Sequence, residues 1–120
     1  LLAANAARQT LAQHMSVFHE TYDVLLTPTL AVPPFPAGLL VPPDMDATEW
    51  LAWSPFTYPF NMTKQPAASV PAGFTKTGLP VGLQIVGGLR REDKVLRAAR
   101  AYEQVCPWYK RRPPILENAQ

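Results

Sequence analysis

The side chains best suited to attack a carbonyl or take a proton are three serines, Ser16, Ser54 and Ser69, and four lysines, Lys64, Lys76, Lys94 and Lys110. Nucleophilic catalysis needs a hydroxyl held beside a base, with donors waiting for the oxyanion. None of the serines lies in a Gly-x-Ser-x-Gly elbow. Ser16 falls inside a helical pattern, Ser54 precedes Pro55, and Ser69 sits in a strand pattern between Ala68 and Val70. A lysine acting as base must be desolvated. Lys76 falls in a turn, Lys94 on a helix face and Lys110 in a tail, so only Lys64, amid apolar neighbours, is arguable. His14 and His19 are five residues apart, on different helix faces, and with the single Cys106 they are too few for a zinc site. Phosphate-cradling glycine loops are absent. What remains is an aromatic and amide-bearing stretch: Trp50, Trp53, Phe56, Tyr58, Phe60 and Asn61. Such a cluster, interrupted by prolines, either lines a ligand pocket or covers the core from a loop.

The elements that must position these residues follow from periodicity. Ala4, Ala7, Leu11, Met15, Phe18 and Tyr22 recur at steps of three and four, which predicts a helix over residues 1–22. Asp23 breaks it, and residues 23–28 form a short strand around the apolar run 24–27, ended by Pro28. Ten of the fourteen prolines fall between residues 28 and 71, so residues 29–66 are expected to be a proline-rich, aromatic loop region. Within it Phe35, Leu39, Leu40 and Val41 want a surface to lie on. Asp46 or Thr48 could cap a short helix through Trp50, Leu51 and Trp53, and Pro55 would close that helix or start another. Residues 67–74 and 81–86 read as two strands joined by Thr75-Lys76-Thr77-Gly78, an antiparallel hairpin over residues 67–86 in which Gly78 takes a positive φ. A second helix spans residues 92–106, with Val95, Ala99, Tyr102 and Cys106 as its buried stripe and Glu92 and Asp93 at the positive end of its dipole. Pro107 stops it, leaving a tail over residues 107–120.

A length of 120 residues suits one domain. With 48% hydrophobic and 17% charged residues the chain can build a core and is not a disordered segment. The net charge of +2 implies no strong field for nucleic acid or anionic lipid. The basic C-terminal third, from Arg90 and Arg91 through Arg97 and Arg100 to Lys110, Arg111 and Arg112, reads as a solvated helix face and a basic tail. One cysteine excludes an intrachain disulfide, and Cys106 reads as a small buried hydrophobe in a reducing compartment. No run reaches the length of a membrane span and no signal-peptide pattern opens the chain. Residue 1 is Leu and lies inside a helix-like sequence, which suggests a piece of something longer or a processed chain.

Three segments carry a family likeness. Asp23-Val24-Leu25-Leu26-Thr27-Pro28-Thr29 resembles a strand segment of the amidase-signature enzymes, the family of bacterial amidases and of the amidase subunit of tRNA-dependent amidotransferases. Residues 61–73, from Asn61 through Gln65-Pro66-Ala67 and Ser69-Val70-Pro71 to Gly73, resemble the family's Asn-x-x-Gly-x-Pro-Ala-x-Ser-Val-Pro-x-Gly stretch. Residues 78–87 resemble the hairpin return that follows, and residues 92–102 the closing helix. One departure is Lys64, where the family usually has glycine: either no positive φ is required there or this branch tolerates another residue.

The resemblance implies an α/β fold: the C-terminal portion of the layered amidase-signature architecture, a mixed sheet with flanking helices. The implied chemistry is hydrolysis of a carboxamide by a Ser–cis-Ser–Lys triad with a glycine- and serine-rich oxyanion loop. Those parts lie upstream in full-length members and match nothing here, so no catalytic role passes to any residue of this chain. The C-terminal part completes the sheet and walls the substrate pocket, which makes Trp53, Phe56, Tyr58 and Asn61 the candidate pocket residues. No metal or organic cofactor is implied. The parent is expected to be cytoplasmic, its partners a small-molecule amide together with the upstream catalytic part, with no nucleic acid and no membrane. The chain alone is expected to be inactive and either to self-associate or to pair with a partner chain. The alternative is a free-standing, noncatalytic binding or interaction module that keeps the same fold.

Overall fold

The computed structural model describes residues 1–46, 48 and 51–111. The first apolar stripe winds into α1 (Leu2–Thr21). Only its second half finds a partner among the described residues: Leu11, Met15 and Phe18 are half-buried, whereas Ala4 and Ala7 stay exposed and Leu2 keeps 87% of its surface. Tyr22 closes the helix, also exposed, its ring stacked on Phe18 at 4.7 Å. After Asp23 the chain extends into β1 (Val24–Pro28).

The hairpin forms as its turn chemistry dictates. β2 (Ala67–Phe74) and β3 (Pro80–Gly87) pair antiparallel, and β1 pairs antiparallel with the other edge of β3, giving the order β1-β3-β2. Gly78 has φ +85°, and its N–H donates to the Thr75 carbonyl at 3.0 Å. The Thr75 hydroxyl also accepts the N–H of Leu79 at 3.0 Å. The register shifts between Pro71 and Gly73, where a proline cannot donate to the ladder.

Glycines without a Cβ decide which face of β3 meets which element. A Cβ on Gly87 would lie 2.7 Å from Val95 Cγ2, so Gly87, Ile85 and Leu83 face α3 (Glu92–Val105). A Cβ on Gly82 would lie 2.6 Å from the Thr29 hydroxyl, so Gly82, Gln84 and Val86 face the opposite side. Among the described residues the core is small: Ile85, Val86, Val95, Phe60 and Val41 are its buried apolar side chains. The stripe foreseen on α3 is the one that packs, with Val95 buried and Ala99, Tyr102 and Cys106 half-buried.

Two parts of the proline-rich region differ from expectation. Leu51–Trp53 is a turn rather than a helix, and Trp50 lies outside the described residues. Asp46 does hold the N–H of Thr48 at 2.8 Å, a bond that keeps its carboxyl below the usual carboxylate range. Further on, a helix the sequence did not reveal, α2 (Tyr58–Thr63), starts with Pro59 in its first turn, where a missing N–H costs nothing. Phe60 and Thr63 are its buried residues. Of the apolar residues expected to seek a surface, Val41 is buried and Phe35 half-buried, while Leu39 and Leu40 remain exposed. The tail, expected to be plain, opens with a 3-10 turn at Trp108–Lys110. The Trp108 ring packs edge-on against Phe74 at 5.6 Å, and the Arg111 guanidinium lies 4.1 Å above the same ring.

Lys64 ends α2 in the left-handed region, φ 60° and ψ 31°. The positive-φ requirement of the family position therefore stands, and lysine occupies it against the steric preference of an L residue. Lys64→Gly is expected to stabilise the fold by about 0.5–1 kcal/mol. A higher denaturant midpoint at unchanged slope is the signature, and an unchanged or lower midpoint would show that the lysine side chain offsets the strain.

Charged pairs fasten α3. Lys94 bonds and ion-pairs with Asp23 just before β1, and Arg91 grips Asp93 through two bonds of 2.9 Å. The bond from Lys94 holds the Asp23 carboxyl below its ordinary 3.8, and the bond from Arg91 lowers Asp93 to about 2. A carboxylate whose folded value is depressed contributes stability above its unfolded value and loses it as pH falls through the folded one. The contribution of Asp93 is therefore lost between 3.8 and about 2. The denaturant midpoint should fall between about pH 5 and pH 2, and fall less in an Asp23→Asn, Asp93→Asn double variant. Equal falls in both proteins would assign the acid sensitivity to other groups.

Candidate functional site

On the face of the sheet away from α3, the three motif segments converge. Thr29, one residue past β1, donates its N–H to the Gly82 carbonyl of β3 at 3.0 Å. Its hydroxyl meets that of Ser69 on β2 at 2.6 Å. Gly82 lies beneath this pair, and any side chain there would displace both hydroxyls. Above them runs a groove of about 810 Å³, within the size range of small-molecule sites. Residues 28–34 form one wall, with Phe56, Pro71, Pro80 and Val81 among the rest, and among the described residues no ionisable side chain lines it. The groove suits an uncharged, largely apolar group, with two hydroxyls to orient it.

The aromatic loop does not enter the groove as a unit. Phe56 lines it. Trp53 turns away and meets Phe35 edge-on at 5.3 Å, its indole Nε1 buried and without a partner among the described residues. Tyr58 and Asn61 lie exposed on α2, and Asn61 contributes its backbone carbonyl to the N–H of Lys64. Trp53, Tyr58 and Asn61 thus share no surface with Phe56 in this groove.

Sequence reading missed Gln84, which is 6% exposed. Its Nε2 donates to the Phe56 carbonyl at 2.6 Å and to the Thr27 hydroxyl at 3.0 Å. A second amide, Gln65, ties the end of α2 to the sheet: Nε2 donates to the Gly87 carbonyl at 3.1 Å, and Oε1 accepts from the Thr63 hydroxyl at 2.9 Å. The polar face of the strand pattern at Gln84 was the available signal, but its partners lie 28 and 57 residues away.

No serine here is paired with a base. Ser16 Oγ donates to the Ala12 carbonyl, Ser54 Oγ to the Leu51 carbonyl, and Ser69 meets Thr29. Lys64 is exposed, and Lys94 is engaged with Asp23. Among the described residues no group of three His, Cys, Asp or Glu could hold a metal ion, and no helix is long and apolar enough to cross a membrane.

Residues 1–96 match the family described as Amidase. The chain belongs to this family. Among amidase relatives it is 43% identical over 114 residues to an acylamidase of Rhodococcus erythropolis, covering 92% of this chain and 24% of that protein. It is 42% identical over 123 residues to a glutamyl-tRNA(Gln) amidotransferase subunit of Synechococcus sp. strain JA-3-3Ab, covering 99% of this chain and 23% of that one. Its fold matches that of a bacterial aryl acylamidase of the amidase signature family with a TM-score of 0.76 at 31% identity, over 90% of this chain and 23% of the other. The chain thus spans about a quarter of the length of the amidases it matches, and its small antiparallel sheet with flanking helices is a portion of their α/β fold.

Proposed function

We propose that this chain is the C-terminal part of an amidase that hydrolyses a carboxamide to a carboxylate and ammonia or an amine. In this reading a Ser–cis-Ser–Lys triad upstream supplies the nucleophile and the base. The serine oxygen attacks the carbonyl carbon, the C–N bond breaks as the leaving nitrogen takes a proton, and water then cleaves the acyl-serine ester. This chain contributes a wall of the substrate cleft: the groove beside Thr29 and Ser69, and the segment carrying Trp53, Phe56, Tyr58 and Asn61. The enzyme works without metal or organic cofactor, in the cytoplasm, where the free thiol of Cys106 is stable.

The observation that carries this reading is the amidase match over residues 1–96 in a chain whose own serines all lack a basic partner. The test is turnover by the full-length protein on a panel of primary amides and anilides, read as ammonia or aniline released. Replacing the upstream nucleophilic serine by alanine should lower kcat by about 10³-fold or more. A full-length protein that binds amides and hydrolyses none would favour the noncatalytic module.

A further inference from the structure

Gln84 sits where three parts of the molecule meet. It lies on β3, donates to Thr27 of β1, and donates to the backbone of the loop at Phe56. The orientation of its amide is settled by chemistry: the Phe56 carbonyl can only accept, so the NH₂ group must face it. Both hydrogens of Nε2 are then committed. The donor belongs to a side chain only 6% exposed, so losing the bond at 2.6 Å leaves a buried polar group without its partner. Backbone, not side chain, is held, so the constraint fixes where the Phe56 Cα lies, and Phe56 lines the groove. Phe56 is the sole residue of the 51–64 segment on the groove wall, and it is followed directly by Thr57 and α2, the segment with Tyr58 and Asn61.

We propose that Gln84 is a positioning residue for substrate recognition, its buried amide clamping the Phe56 carbonyl so that the Phe56 ring closes one side of an uncharged groove fitted to an apolar acyl or aryl group. This rests on the amidase reading above for the identity of the ligand, but the clamp itself does not. The apolar moiety follows from a groove lined by prolines, valine and phenylalanine with no ionisable side chain among the described residues. Thr27 shares the amide through its hydroxyl, while the Phe56 carbonyl is held by Gln84, so Thr27 provides an internal control.

The test uses the full-length protein. Gln84→Met keeps the length of the side chain and removes the donor. It should raise KM for apolar anilides by about tenfold, the scale of one buried hydrogen bond, with kcat within about twofold. It should also flatten the preference between long and short acyl groups. Thr27→Val should leave KM and ranking near wild type. If Gln84→Met fails to fold, Gln84→Leu, similar in bulk and also without a donor, carries the same expectation. Unchanged KM and ranking in a folded Gln84 variant would overturn the proposal and leave Gln84 a purely structural residue. Should the wild-type protein hydrolyse no amide, the functional reading falls. The clamp is then judged by amide hydrogen exchange over residues 56–61, faster in Gln84→Met than in wild type or Thr27→Val if it exists, and the same in all three if it does not.

Discussion

The 120-residue chain, purified by itself, is expected to leave simple aryl and alkyl amides unhydrolysed above the buffer rate. Each serine hydroxyl is spent on a carbonyl or another hydroxyl: Ser16 on Ala12, Ser54 on Leu51, Ser69 on Thr29. A hydroxyl without a base stays protonated at neutral pH, and without preorganised donors a developing oxyanion gains nothing over water. Enzymes accelerate their reactions by at least about 10⁶-fold, so the contrast with the full-length protein should be all or none. Release of aniline or ammonia is the readout. Turnover by the isolated chain that disappears on Ser69→Ala or Lys64→Ala would reveal a nucleophile or base in it and contradict this account.

The second large effect is expected in solution state. One helix, α3, lies along one face of the three strands, and it leaves Leu26 on β1 56% exposed and its own Leu96 65% exposed. On α1 the half before Leu11 has no partner among the described residues. In a three-stranded sheet ordered β1-β3-β2, both β1 and β2 carry an outer edge. Soluble monomers rarely show contiguous apolar patches beyond a few hundred Å². A stable interface hides roughly 800 Å² per partner, and this chain has apolar surface and strand edge to offer it. We expect the isolated chain to self-associate, exchange elements with a second copy, or bind the upstream part of its own enzyme when that part is supplied. Light scattering at micromolar concentration should give a mass above that of the monomer. A clean monomer that unfolds cooperatively would show that the chain closes its own core.

The elements legible in the sequence were those with a period or a turn signal. Alternation of Val81, Leu83 and Ile85 with Gly82 and Gln84, and the glycine at 78, pointed to the hairpin; the stripe from Val95 to Cys106 pointed to α3. The six-residue α2 is too short to show a period, and Pro59 reads as a breaker although at a first turn it is at home. Lys64 in a left-handed conformation runs against residue preference and is visible only in the backbone. The motif segments could be named, but the pairing of Thr29 with Ser69 spans 40 residues and that of Gln84 with Phe56 spans 28. Such contacts depend on register and topology, which local pattern does not encode. The same limit separated Trp53 from Phe56: three residues apart in sequence, one packs on Phe35 and the other lines the groove.

The central claim is that this chain works as the C-terminal quarter of an amidase. The intact mass of the native protein, taken from its source by antibody capture against residues of this chain, tests it most directly. The account predicts a polypeptide roughly four times the 120 residues, in keeping with coverage of 24% and 23% of its relatives. A native species no longer than these 120 residues, isolated without any companion polypeptide, would contradict it.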